Sequence, residues 1–124
     1  MKQGGLFKRA LHTLSSQPSE LEAEELQDSV TSLGATPVVD CPDRQQTSVA
    51  GILRTVTLRP RAGAPALEAD LWDGSGTVNL VWLGRRRIAG IEPGRHVKAH
   101  GRICTIDGDR VIYNPTYDLL PPEE

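Results

Sequence analysis

Arg85, Arg86 and Arg87 stand side by side and form the densest charge in the chain. A guanidinium is planar, stays charged at any working pH and can meet two phosphate oxygens at once, so such a run suits a polyanion. Three neighbours in sequence cannot share one face of a strand, so the run belongs in a short helix or connector. Arg59 and Arg61 fall in a predicted loop, Arg59 to Pro65, and Arg110 lies beside a predicted hairpin. Trp72 shares parity with Glu68 and Asp70 and therefore points outward, either for base stacking or for packing beneath an N-terminal helix. Asn79 alternates outward on the next strand. The candidate contacts are thus Arg59, Arg61, Trp72, Asn79, Arg85, Arg86, Arg87 and Arg110. His96, Lys98, His100 and Arg102 make a further basic stripe on one strand face, which reads first as a wetted sheet surface off the usual binding face.

The same residues offer little for catalysis. His96 and His100 would sit about 13 Å apart along a strand, too far to share a metal directly. Cys41 and Cys104 lack metal-ligand spacing and are too few for a disulfide scaffold. Gly74-Ser75-Gly76 is a turn rather than a nucleophile elbow. The expectation is a protein that is not an enzyme and carries no cofactor or metal.

The elements that position these residues emerge from the pattern. The chain has 124 residues and 13.5 kDa, one domain's length, with 38% hydrophobic and 24% charged residues. Twelve glycines and nine prolines predict many turns. No apolar run reaches about 18 residues, so no membrane span is expected. Lys8 and Arg9 occupy the place where a signal peptide needs apolar residues, which makes the cytoplasm the expected compartment.

Met1 to Asp43 carries three bases and seven acids, Arg44 to Tyr117 eleven bases and six acids, and the tail is acidic again. A basic body between acidic ends points towards a polyanion partner.

Residues 1–43 read as a helical extension and linker. Leu6, Phe7, Ala10, Leu11 and Leu14 recur at helical spacing. A second helix, Ser19 to Leu33, opens with Ser19 and Glu22 as a capping box, buries a seam of Leu26, Val30 and Leu33, and stops at Gly34. Ala35 to Gln46 reads as linker.

Residues 44–120 read as five strands, and residues 121–124 as an acidic tail. Val49 to Leu58 is strand one, with Gly51 marking a bulge or bend. Leu67 to Trp72 and Val78 to Trp82 alternate around Asp73-Gly74-Ser75-Gly76, and Trp82 falls on the core side. Val97 to Ile103 alternates next. Asp107-Gly108 is a hairpin signal before Val111 to Tyr117, which Asn114-Pro115 interrupts. Three strands, a connector and two strands give a mainly β fold, a five-stranded OB-fold barrel.

Residues Val49 to Leu120 resemble the OB-fold family that includes the wedge domain of RecG-type helicases. The stretches that carry the likeness are Asp73-Gly74-Ser75-Gly76, Leu80-Val81-Trp82, Pro93-Gly94, Val97 to Arg102 and Ile112 to Tyr117. The full chain is also similar to stand-alone OB-fold proteins of high-GC, actinobacterial genomes. The resemblance implies binding of DNA or RNA. It departs from the wedge pattern in two ways. No phosphate loop of a helicase motor is present, and Gly84-Arg85-Arg86-Arg87 stands where wedge domains tend to carry stacking aromatics. Phosphate contact is therefore favoured over stacking there.

Two classes of function remain open. One is a non-enzymatic binder of single-stranded or branched DNA, or of RNA. The other is an OB-fold protein-interaction module, docking a protein partner through its acidic helix or its arginine turn.

Overall fold

The computed structural model describes residues 20–121. The expected helix at Leu6 to Leu14 and the Ser19 cap lie outside the described residues, as do residues 122–124 of the expected acidic tail.

Helix α1 spans Glu20–Ser32 and carries Glu20 and Glu22 in its first turn, where the helix dipole favours carboxylates. Gly34 ends it in the left-handed region at φ 78°. The Ala35 amide donates back to the Val30 carbonyl at 3.3 Å, and the two side chains meet in one small cluster with Ala50 and Leu26. That is a Schellman ending with its hydrophobic contact. Lys98 Nζ adds a bond to the Leu33 carbonyl at 3.0 Å. The expected seam is narrower than the spacing suggested. Val30 is buried, but Leu33, at the end of the helix, is exposed.

The expected linker contributes two residues to the barrel core. A short 3-10 turn, Val38–Asp40, presents Val38 fully buried among the barrel side chains, with Cys41 beside it.

The strands are β1 (Gln46–Arg61), β2 (Ala64–Trp72), β3 (Thr77–Leu83), β4 (His96–Ile106), β5 (Asp109–Tyr113) and β6 (Thr116–Leu119). Five of them close a ring in the order β1-β2-β3-β5-β4, with β4 returning to β1, and β6 adds to β4. The β3–β5 pairing is parallel and the others are antiparallel. Inward positions Val49, Leu53, Leu67, Leu71, Leu80, Trp82, Ile103 and Ile112 fill the barrel with Val38, Ile88 and Ile91.

Two expectations need correction. Arg59 to Pro65 is not a loop. β1 continues to Arg61, turns through Ala62 and Gly63 at φ 51° and 82°, and returns as β2. Positive φ at both central residues is the tight hairpin geometry. Pro60 faces Pro65 across this hairpin, next to the closing pair. That position asks for no ladder hydrogen bond, so neither missing N–H matters. The expected fifth strand is also two. Asn114, at φ 53°, breaks it into β5 and β6.

Gly51 pairs with Val97 just before Ile52, the residue at which β1 passes from β4 to β2, while the irregularity in the β1–β2 ladder falls further on, between Leu53 and Thr55. A Cβ on Gly51 would press on the Trp72 carbonyl, which is backbone and cannot yield. Gly51→Ala is expected to lower stability by about 1–3 kcal/mol in urea denaturation of the full chain, the cost of overpacking.

Candidate functional site

The outer face of β1, β2, β3 and β5 presents two cross-strand rows of polar residues. In the first, Asp70 lies opposite both Thr55 and Asn79. Its Oδ2 accepts from Thr55 Oγ1 at 3.0 Å and its Oδ1 from Asn79 Nδ2 at 2.9 Å. In the second, Glu68 lies opposite Thr57 and Val81, with Tyr113 next on β5. Glu68 Oε2 accepts from Arg61 Nε at 2.7 Å, and Oε1 is 4.0 Å from Arg59 Nε. This bond and the facing charge push the Arg61 guanidinium above its ordinary pKa. The Arg61 guanidinium also lies 5.9 Å from the Tyr113 ring centroid. Beneath these groups Ala66, Val81 and Val111 form a small apolar floor.

Beside this face the β4–β5 hairpin rises to make a groove of about 510 Å³. Arg59, Asn79 and Arg110 line it together with Glu68, Asp70, Asp107 and Asp109. Four carboxylates against two guanidiniums leave the groove negative. Arg110 is drawn partly away, its Nη2 donating to the Val39 carbonyl at 3.2 Å.

Neither the comparison with protein families nor that with curated proteins finds a match. Solved structures do match. RecG bound to a three-way DNA junction is 19% identical over 71% of this chain, with a TM-score of 0.57, and the match spans 12% of that chain. A replication protein A heterotrimer bound to single-stranded DNA is 15% identical over 72% of this chain and 74% of that one, with a TM-score of 0.50. The barrel is an OB-fold. Its β2–β3 face and the flanking hairpins are the surface on which OB-folds commonly take their ligands.

The OB-fold divides the eight sequence-predicted residues into three places. Arg59, Asn79 and Arg110 share the groove, with Arg61 at its rim beside Glu68. Trp72 is set apart. It points outward, as its parity requires, but lines a cleft of about 580 Å³ with Glu22, Glu25 and Leu26 of α1 and with His96. Arg54 sits over its ring at 4.7 Å. Arg85, Arg86 and Arg87 occupy the exposed connector after β3. The Gly84 amide, donating to the Pro65 carbonyl at 2.8 Å, ties the start of this connector to the β1–β2 hairpin that carries Arg59 and Arg61. Among the described residues, none of the three has a hydrogen-bond or ion-pair partner.

Three of the four residues of the strand-four stripe are occupied by the fold. Lys98 caps α1, His100 Nδ1 shares a 2.6 Å bond with Ser48 Oγ, and Arg102 Nη1 donates to the Arg44 carbonyl at 2.6 Å. Cys41 is buried, and that burial pushes its thiol pKa up.

Sequence reasoning missed Tyr113, the one aromatic ring on this face apart from Trp72 among the described residues. Its two-residue spacing from Val111 was the available signal. The acidity of the groove was also missed, because Asp107 and Asp109 read as turn formers and only the fold carries them towards Asp70.

Proposed function

We propose that this chain is a non-enzymatic OB-fold protein that binds nucleic acid, single-stranded or branched DNA or RNA, mainly through phosphates at one end of the barrel. The observation that carries this reading is the Arg85-Arg86-Arg87 connector, unpartnered among the described residues and tied to the hairpin end of the outer face. Guanidiniums already paired within the fold would have to break those bonds first, whereas these three are free to meet phosphate oxygens. The likeness to domains seen with a DNA junction and with single-stranded DNA supports the same class of ligand. The absence of catalysis is part of the proposal.

The test is a panel of labelled single-stranded, duplex and forked DNA and RNA probes at two salt concentrations, for wild type and for the triple variant R85A/R86A/R87A. The variant should bind every probe more weakly. Its log affinity should fall less steeply with log salt, by about 0.7 for each single-strand phosphate that the variant no longer neutralises. Equal affinity and equal slope in the two proteins would exclude the connector as the site.

The negative groove favours a second reading, an OB-fold module that takes a basic protein segment. Failure of every probe to bind at low salt, both to wild type and to a variant whose paired arginines are released, would select it.

A further inference from the structure

We propose that Glu68 is a built-in limit on nucleic-acid affinity: it draws Arg59 and Arg61 down onto the sheet face and keeps them from phosphate. The inference rests on the nucleic-acid reading above and names a residue that sets the strength of that same site.

Arg59 and Arg61 stand at the hairpin end of the face, at the same end as the arginine connector. By position they should extend that patch. Instead Arg61 is hydrogen-bonded to Glu68, and Arg59 lies within ion-pair distance of the same carboxylate. Arg61 Nε is held 2.7 Å from Glu68 Oε2, and Arg59 Nε lies 4.0 Å from Oε1. The carboxylate is itself nearly enclosed, its side chain 10% exposed against 65% for Arg59 and 40% for Arg61. A carboxylate so enclosed requires its cations, because alone it would lack both water and a counter-charge. A phosphate approaching Arg61 therefore finds Nε already taken and one edge of the guanidinium fork lost to it, and it meets a negative charge within a few ångströms of where it must sit. Tyr113 is occupied by the same arrangement, since Arg61 lies over its ring. Asp70 cannot substitute as the holder, both its oxygens being committed to Thr55 and Asn79.

The test is Glu68→Gln in the full chain, assayed on single-stranded DNA at two salt concentrations. Gln keeps the size of the side chain and removes the charge. The variant should bind about tenfold more tightly at low salt, the scale of one charge-assisted hydrogen bond gained. Its salt dependence should steepen by about 0.7 for each arginine that reaches a phosphate. The double variant E68Q/R61Q should lose most of that gain, which tells release of Arg61 from a general change in net charge. If E68Q does not fold, Glu68→Asp serves instead, since its shorter reach cannot hold both arginines; a smaller gain in the same direction is expected.

Wild type binding with no gain in the variant, or with weaker binding, overturns the role of Glu68 and leaves the nucleic-acid reading standing. Binding by E68Q where wild type shows none supports the limit in its strongest form. Failure of both proteins to bind at low salt overturns the inference together with the reading beneath it.

Discussion

Asp73→Ala is expected to lower the stability of the full chain by about 3–5 kcal/mol, because several backbone donors then lose their acceptor at once. Asp73 is fully buried in the β2–β3 turn, yet its carboxylate is saturated. Oδ1 accepts from the Ser75 amide at 2.9 Å, the Ser75 hydroxyl at 2.7 Å and the Gly76 amide at 3.1 Å. Oδ2 accepts from the Val38 amide at 2.8 Å. One side chain thus shapes the turn and fastens the 3-10 segment that plugs the barrel. The Val38 amide has the most to lose, since that residue has no exposure to water. Asp73→Asn separates the two roles. Its remaining oxygen can still serve the turn, but its NH₂ would face the Val38 N–H, so it should cost about 1–3 kcal/mol, one unsatisfied buried donor. Urea denaturation gives both values, and hydrogen exchange at the Val38 amide should accelerate in both variants. An alanine variant as stable as wild type would show that the turn holds without this carboxylate.

The second large effect is expected at Trp82. Its side chain is buried in the barrel, and its indole Nε1 donates to the Pro115 carbonyl at 3.0 Å. Its ring meets Tyr117 edge-on at 5.7 Å. It therefore fills the core and also fastens the Asn114-Pro115 corner to which β6 is attached. Trp82→Ala should cost about 3–5 kcal/mol, the range for emptying a large aromatic site. Trp82→Phe keeps much of the packing and drops the indole bond, and should cost less, with faster exchange confined to β6. Uniform loss of protection across all strands in the Phe variant would show that the corner has no separate dependence on this bond.

The fold was legible in the sequence where one face of a strand is buried. Leu67, Ala69 and Leu71, then Val78, Leu80 and Trp82, alternate cleanly because the barrel interior accepts only apolar groups. Asp107-Gly108 announced a hairpin and forms one, at φ 53° and 84°. The Arg59 to Pro65 stretch was not legible, because a hairpin that projects beyond the barrel has no buried face to impose alternation. Its prolines looked like breaks and are tolerated only through their register. The 3-10 plug was hidden for a similar reason. A single apolar residue, Val38, carries its burial, and no period can be read from one residue.

For the candidate site, the basic residues could be found by type, but their pairing could not. Whether Arg61 is free or held depends on Glu68, seven residues away across a turn that sequence reading took for a loop. Arg85, Arg86 and Arg87 were found with their freedom intact because nothing in the described structure competes for them.

The ring closes along the seam between β1 and β4, where Ser48 meets His100 across 52 positions of sequence. Hairpins β1–β2 and β2–β3 join near neighbours and can form as soon as their turns do. The closing seam must first overcome the entropy of a long loop, which places it late in folding and makes the overall rate slow for a domain of this size. On the ribosome, β1 emerges well before its partner. Until β4 arrives, the first half of β1 offers unpaired N–H and C=O groups to any strand within reach, including the same strand of another nascent copy. Closure of the barrel is thus also the moment at which the first half of β1 ceases to be open to strand exchange.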